Sequence, residues 1–334
     1  MVVYMNLRIL LDGYSKGKLS IDELQRRISI QSVEQVANNV AQLDINREIR
    51  KEIPEVIFGK GKEYTDLLKI TRAAARKNGI VVVSKIQSKE LLVRLCRGLK
   101  KIKLEVEVGK KSKTMLVSTR SHGLNSGSIG SSSNISSTTL PYRGKIGILA
   151  AGTSDIGIAE EARLMAKAMG CATLQSYDVG IAGIHRLFPA LTEMMSENVG
   201  AIVVVAGMEG ALASVVTSMV NVPVVGVPTS VGYGFGSDGI AALASMLQSC
   251  TPGLSVVNID NGIGAGAFAA LISNQLARTT AAPLPAPKGT ARERETRIAR
   301  RMNQEQQQKK NKEKEAKDSH KKSGKSKNNQ TTIH

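Results

Sequence analysis

The chain has 334 residues, 42% of them hydrophobic, with no Trp, 3% aromatic residues, 31 Gly and a formal charge of +18. That length gives room for one large or two ordinary domains. No run approaches the apolar length of a membrane span, and Cys96, Cys171 and Cys250 lie too far apart for a zinc motif or a secreted disulfide framework. The first twenty residues lack the features of a secretory signal, so the expected compartment is the reducing cytoplasm, away from membranes. Half of the excess charge falls in residues 288–334, which hold 15 Lys and Arg against 6 Asp and Glu. With little to bury and no aromatic residues, this tail reads as a solubilising appendage or a weak polyanion binder.

Residues 1–117 read as a small α/β domain. Ser20 and Glu23 form a capping box that opens a helix, "PEVIFG" (54–59) reads as a strand or tight turn, and 65–79 as a helix from a Thr65 N-cap to a Gly79 C-terminal cap. The segments "IVVVSK" and "IKLEVEV" predict strands on either side of a helix in "SKELLVRLCRGL". Residues 118–143 form a Ser/Gly-rich linker. Residues 144–280 alternate strands at 145–150, 171–177, 201–206, 222–227 and 254–259 with helices near 156–169, 186–197, 210–220, 238–249 and 265–277. Such alternation implies a mostly parallel sheet in a three-layer α/β domain, followed by a basic tail over 281–334.

In such sheets ligands bind beyond the strands' carboxyl ends, so the residues there are the candidates. Gly152, Thr153, Ser154 and Asp155 follow the first strand and suit either an anion site or an ordinary N-cap. Asp178, His185 and Arg186 follow the second, His185 as a proton shuttle or a packing residue. Glu209, between Gly207 and Gly210, follows the third and reads as a pocket carboxylate or a helix-dipole acid. Thr229, Ser230 and Gly232 open a glycine-rich loop after the fourth, and Asn258, Asp260 and Asn261 follow the fifth. Cys250 ends the helix before the fifth strand, where packing and chemistry are both open. The residues themselves lead to a nucleotide- or phosphate-binding α/β enzyme.

The segments "GTSD…EEA", "VVVAGMEGAL", "PTSVGYG" and "SC.PG..VVNIDNG", with "MNLRILLDGYSKGKLSIDEL" upstream, resemble the LarB family of nickel-pincer cofactor biosynthesis, whose C-terminal domain is similar to PurE-type aminoimidazole ribonucleotide carboxylases. The resemblance implies carboxylation of the pyridinium ring of nicotinic acid adenine dinucleotide by CO2. Hydrolysis of the phosphoanhydride then gives AMP and pyridinium-3,5-biscarboxylic acid mononucleotide. It casts Cys250 as the nucleophile, Glu209 in proton removal or water activation, Asp155 and Ser154 in the substrate loop and His185 with Arg186 in proton handling, with Asp178 expected to orient His185. It further implies a tetramer or octamer, no tightly bound organic cofactor, and at most Mg2+ to neutralise the pyrophosphate. Ala213, where the family has Pro, and Asp238, in an altered loop, depart from its pattern. The alternatives are a PurE-type carboxylase or mutase that needs no cysteine, and a non-catalytic nucleotide-binding protein with a nucleic-acid-binding tail.

Overall fold

The computed structural model describes residues 7–24, 33–36, 41–44, 51–119 and 144–280, all within a compact unit that ends at Ala281. A helix α1 (Leu7–Ser15) comes first. The capping box follows, with the Glu23 N–H donating to Ser20 Oγ at 3.1 Å; the rest of the expected helix, beyond Leu24, lies outside the described residues. Strands β1 (Val33–Val36) and β2 (Ala41–Asp44) pair antiparallel. They were not anticipated, because four mixed-polarity residues carry almost no periodicity.

A mixed sheet follows. It holds β3 (Glu55–Phe58), β4 (Ile80–Ser84), β5 (Glu105–Val108) and β6 (Met115–Ser118) in the order β3-β4-β6-β5, with only β3 and β4 parallel. Helices α2 (Tyr64–Asn78) and α3 (Lys89–Lys101) cover one face. Helix α2 starts from Glu63 and not Thr65, and ends on Gly79 at φ 77°; a side chain there would meet the steric penalty of left-handed backbone. Ser88 caps α3 by accepting from the Leu91 N–H at 3.1 Å. Strand β6 corrects the expected linker start: Ser118 is a fully buried sheet residue paired with Ile80 and Glu105. The linker from 120 onward and the basic tail lie outside the described residues.

The second sheet is parallel throughout. It comprises β7 (Lys145–Ala150), β8 (Ala172–Tyr177), β9 (Ala201–Ala206), β10 (Val224–Pro228) and β11 (Leu254–Val256), in the order β11-β10-β9-β7-β8. Its helices are α4 (Ile156–Ala168), α5 (Leu187–Ser196), α6 (Ala211–Met219), α7 (Ile240–Leu247) and α8 (Gly262–Thr280). Every residue of β9 is buried, as expected of a central parallel strand covered on both faces. Val203 and Val205 pack towards α4 and α8, while Ile202 and Val204 pack towards α5, α6 and α7.

Ile80, Val82 and Leu116 of the mixed sheet join that first cluster, so α4 is sandwiched between the two sheets. Their neighbours Val81, Val83 and Val117 point the other way, onto Leu67, Leu95 and Leu99. The layers therefore run helices, mixed sheet, helices, parallel sheet, helices. Removing any one of those three buried leucines would cost about 2–5 kcal/mol. Ion pairs reinforce the shared layer: Arg163 reaches Glu107 at 2.8 Å and Glu160 at 2.9 Å, and Lys167 reaches Glu107 at 2.7 Å. Burial opposes ionisation of Glu107 and Glu160, but their cationic and hydrogen-bonding partners prevail and hold both below the usual carboxylate range.

Candidate functional site

The strand order reverses between β7 and β9, and in doubly wound sheets the ligand crevice opens at that point, beyond the strands' carboxyl ends. Asp155 lies there. It is 3% exposed and does not cap α4 with its side chain. Its carboxylate folds back instead: Oδ1 accepts from Thr229 Oγ1 at 2.7 Å, and Oδ2 from the Gly152 N–H at 2.9 Å. Burial, assisted by the Asp260 charge, outweighs these bonds and raises its pKa above the usual carboxylate range. A buried carboxyl so perturbed at a sheet's switch point fits a proton-handling or ligand-orienting role.

Asp260 is the second anchor. Its backbone sits at φ 56°, a conformation a non-glycine residue keeps only where its surroundings enforce it. The enforcement is visible. Its N–H donates to the Pro228 carbonyl at 2.9 Å, and its carboxylate accepts from the Ser230 N–H at 2.9 Å and Ser230 Oγ at 2.7 Å. Its carbonyl accepts from Lys85 Nζ at 2.8 Å. The ends of β7, β10 and β11 are thus stitched through Asp155, Thr229, Ser230 and Asp260, all marked in the sequence. Lys85 was not. It lies 175 residues from its partner, a separation at which no local pattern survives.

The remaining candidates divide by what their side chains do. Thr153 and Ser154 are exposed beside Asp155, and Glu209 is exposed in the turn after β9. That turn is held by the Met208 N–H donating to the Val231 carbonyl at 2.9 Å. Gly207 has a packing reason, since a Cβ there would collide with the Val231 carbonyl. Gly210 sits at φ 68° against Ala242, whereas a Cβ on Gly152 or Gly232 would make only ordinary contacts. Asn261 caps α8 by accepting from the Gly264 N–H at 2.9 Å, and Asn258 Oδ1 accepts from the Ile259 N–H at 2.9 Å. The glycines that open α8 serve helix packing: a Cβ on Gly262 or Gly266 would strike the carbonyls of Ile158 or Ala162 in α4.

His185 and Arg186 are exposed in the 3-10 turn at 181–186 before α5. Asp178 pairs with Arg186 at 2.6 Å. This corrects the expectation that Asp178 orients His185: the guanidinium, carrying a full charge, takes the carboxylate.

Of the three cysteines, Cys171 is buried and its thiol donates to Asn274 Oδ1 at 3.1 Å. Burial pushes its pKa up to about 12, so it is a structural thiol. Cys96 is half-buried and Cys250 is exposed. Cys250 lies between the end of α7 and the start of β11, where the Val224 N–H that opens β10 donates to the Gly253 carbonyl at 3.0 Å. It therefore occupies the edge where the strands begin, while Asp155 and Asp260 occupy the edge where they finish. One copy of the chain does not bring them together.

Asp155 and Asp260 engage both carboxylate oxygens in hydrogen bonds, and no group of three or more His, Cys, Asp or Glu that could hold a metal ion occurs among the described residues. Among these residues, too, no helix is long and apolar enough to cross a membrane.

A model of the AIR carboxylase domain matches residues 145–294, and one of the LarB/PurE-like N-terminal domain matches residues 33–117. The chain is 45% identical to "Uncharacterized protein MJ0165" of Methanocaldococcus jannaschii over 268 residues, covering 80% of this chain and 97% of that one. It is 32% identical over 131 residues to the N5-carboxyaminoimidazole ribonucleotide mutase of the same organism, covering 39% of this chain and 76% of the mutase.

Proposed function

Since the chain belongs to the LarB family and joins that family's N-terminal domain to an AIR carboxylase domain, we propose that it carboxylates the pyridinium ring of nicotinic acid adenine dinucleotide with CO2 and hydrolyses the phosphoanhydride, releasing AMP and pyridinium-3,5-biscarboxylic acid mononucleotide. The observation that carries the reading is that pairing of domains in one chain, and Cys250, the exposed thiol of the three, supports it.

A cationic pyridinium is too electron-poor to attack CO2. Addition of the Cys250 thiolate at C4 forms a C–S bond and dearomatises the ring, which leaves C5 as an enamine-like nucleophile. The C5 electron pair forms the C–C bond to CO2. Removal of the C5 proton, assigned to Glu209, then expels the thiolate and restores aromaticity. Water takes up the phosphoanhydride phosphorus, with AMP as the leaving group. His185 serves proton transfer there, and Arg186, Ser154 and Ser230 bind the anionic substrate. Asp155, buried and with a raised pKa, orients the Gly152 and Thr229 segments around the ring.

Cys250 and Asp155 lie at opposite edges of the sheet, so a site using both draws the thiol from a second copy. Exposed apolar residues on the loop after β10 and on α7, namely Tyr233, Phe235, Ile240 and Leu247, supply surface for such a homo-oligomer, of tetrameric or octameric order.

The test is incubation with nicotinic acid adenine dinucleotide and bicarbonate-buffered CO2, followed by mass spectrometry. AMP and a dicarboxylated mononucleotide in equal amounts are expected. The similarity to the mutase favours one other reading, a PurE-type carboxylase or mutase. Turnover of aminoimidazole ribonucleotides that survives thiol alkylation would select it.

A further inference from the structure

Lys85 follows β4 of the mixed sheet, yet its side chain reaches the parallel sheet's strand-end crevice. The residue sits at φ 53°, a backbone conformation that is strained for a long side chain. The chain beyond it is pinned by the Ile86 N–H donating to the Lys113 carbonyl at 2.9 Å. From there Nζ reaches the Asp260 carbonyl at 2.8 Å and Glu161 Oε1 at 3.0 Å.

Glu161 projects from α4 with its side chain 4% exposed. Thr114 Oγ1 donates to the same oxygen at 3.3 Å, while Oε2 has no hydrogen-bond partner among the described residues. A buried carboxylate this poorly supplied is a poor structural element alone, and Lys85 is the cation that makes it tolerable. The pair thus fixes the ammonium from one side, and the ammonium fixes the Asp260 turn from the other. That turn holds Ser230 through two hydrogen bonds, and the neighbouring Thr229 holds Asp155.

We infer that Lys85, seated on Glu161, is a positioning residue of the crevice. Through it the N-terminal domain sets the geometry of the Asp260–Ser230 strap on which productive substrate placement depends. The catalytic part of the inference rests on the function proposed above; the structural part does not.

The experiment compares Lys85→Met and Lys85→Arg in the full chain by amide hydrogen exchange and by steady-state kinetics. Exchange at the Ser230 and Asp260 amides should quicken about tenfold in Lys85→Met, with the amides of 202–205 in β9 unchanged, and Lys85→Arg should restore protection. The kcat for carboxylation should fall about tenfold or more while KM changes less than threefold, because the strap orients and does not itself supply most of the binding. Exchange at 230 and 260 within twofold of wild type would overturn the inference, as would quickening spread evenly over the fold. A wild-type protein without carboxylation activity but with the local exchange response would sink the proposed function and leave the strap standing. Should Lys85→Met fail to fold, the Lys85→Gln/Glu161→Gln double variant, an amide pair in place of an ion pair, carries the same comparison.

Discussion

The two edges of the parallel sheet are built on opposite principles. Where the strands finish, Asp155, Thr229, Ser230 and Asp260 are cross-linked, with both carboxylates fully engaged and Asp260 held at a strained φ of 56°. Where they begin, Cys250 stands exposed in a short turn. One edge is a preorganised polar frame, in which little reorganisation accompanies ligand binding. The other offers an exposed thiol, the proposed nucleophile, which must be reachable. A covalent mechanism needs both qualities, and this fold keeps them apart within one copy.

Substitutions separate the contributions. Cys250→Ser removes the proposed nucleophile from the beginning edge and should lower carboxylation by roughly 10³-fold or more, with thermal unfolding unchanged; product mass spectrometry and a melting curve together check this. Asp155→Asn breaks the finishing edge and should lower kcat by about 10²-fold through misplacement of the Gly152 and Thr229 segments. Mixing the two variants then tests the shared-site reading directly: mixed oligomers should recover activity that neither variant shows alone. Recovery of none would mean that Cys250 and Asp155 do not act in one shared site.

Arg163→Gln sharpens the contrast from outside, since it touches neither edge. It should cost about 2 kcal/mol of stability, less than a fully buried pair because Glu107 is 27% exposed, with the activity of the folded protein intact. Denaturant unfolding reads the loss.

Glu161 supplies a pH signature. Burial first, with the Asp260 charge adding to it, raises its pKa above the ordinary 4.5 despite Lys85 and Thr114. A raised carboxyl contributes stability that is complete below the unfolded value and lost as pH rises through the folded one. Glu161→Gln should therefore compare worst with wild type in acid and gain on it as the pH is raised from the ordinary carboxylate range towards neutrality. Unfolding midpoints across that range test the sign. Removal of residues 295–334, beyond the AIR carboxylase match, is the mildest change and should leave turnover within about twofold. Loss of all activity would favour a working role for the basic tail.

Much of the parallel sheet could be read from the sequence because β7, β9 and β10 are almost wholly buried and therefore run as apolar segments, as in "AIVVVA". The strand-end carboxylates were legible from their place: Asp155 and Asp260 each stand within five residues of a strand's end. The hairpin β1–β2 and strand β6 are four residues each, and none has the bounding Pro and Gly of β3 or the Glu–Val alternation of β5. Side-chain partners were the hardest to foresee. Asp178 chose Arg186 over His185, Lys85 reached across domains to Asp260, and the glycines of α8 proved to be a helix contact. Each depends on which surfaces the packed layers bring together, and local sequence does not record that.

The most direct trial of the account is an acid-quenched single turnover with nicotinic acid adenine dinucleotide and CO2, followed by peptide mass spectrometry. A substrate-derived adduct on the Cys250 peptide, absent from the Cys96 and Cys171 peptides, is the predicted result. Product formed at the full rate with Cys250 never modified, and undiminished in Cys250→Ser, would contradict it.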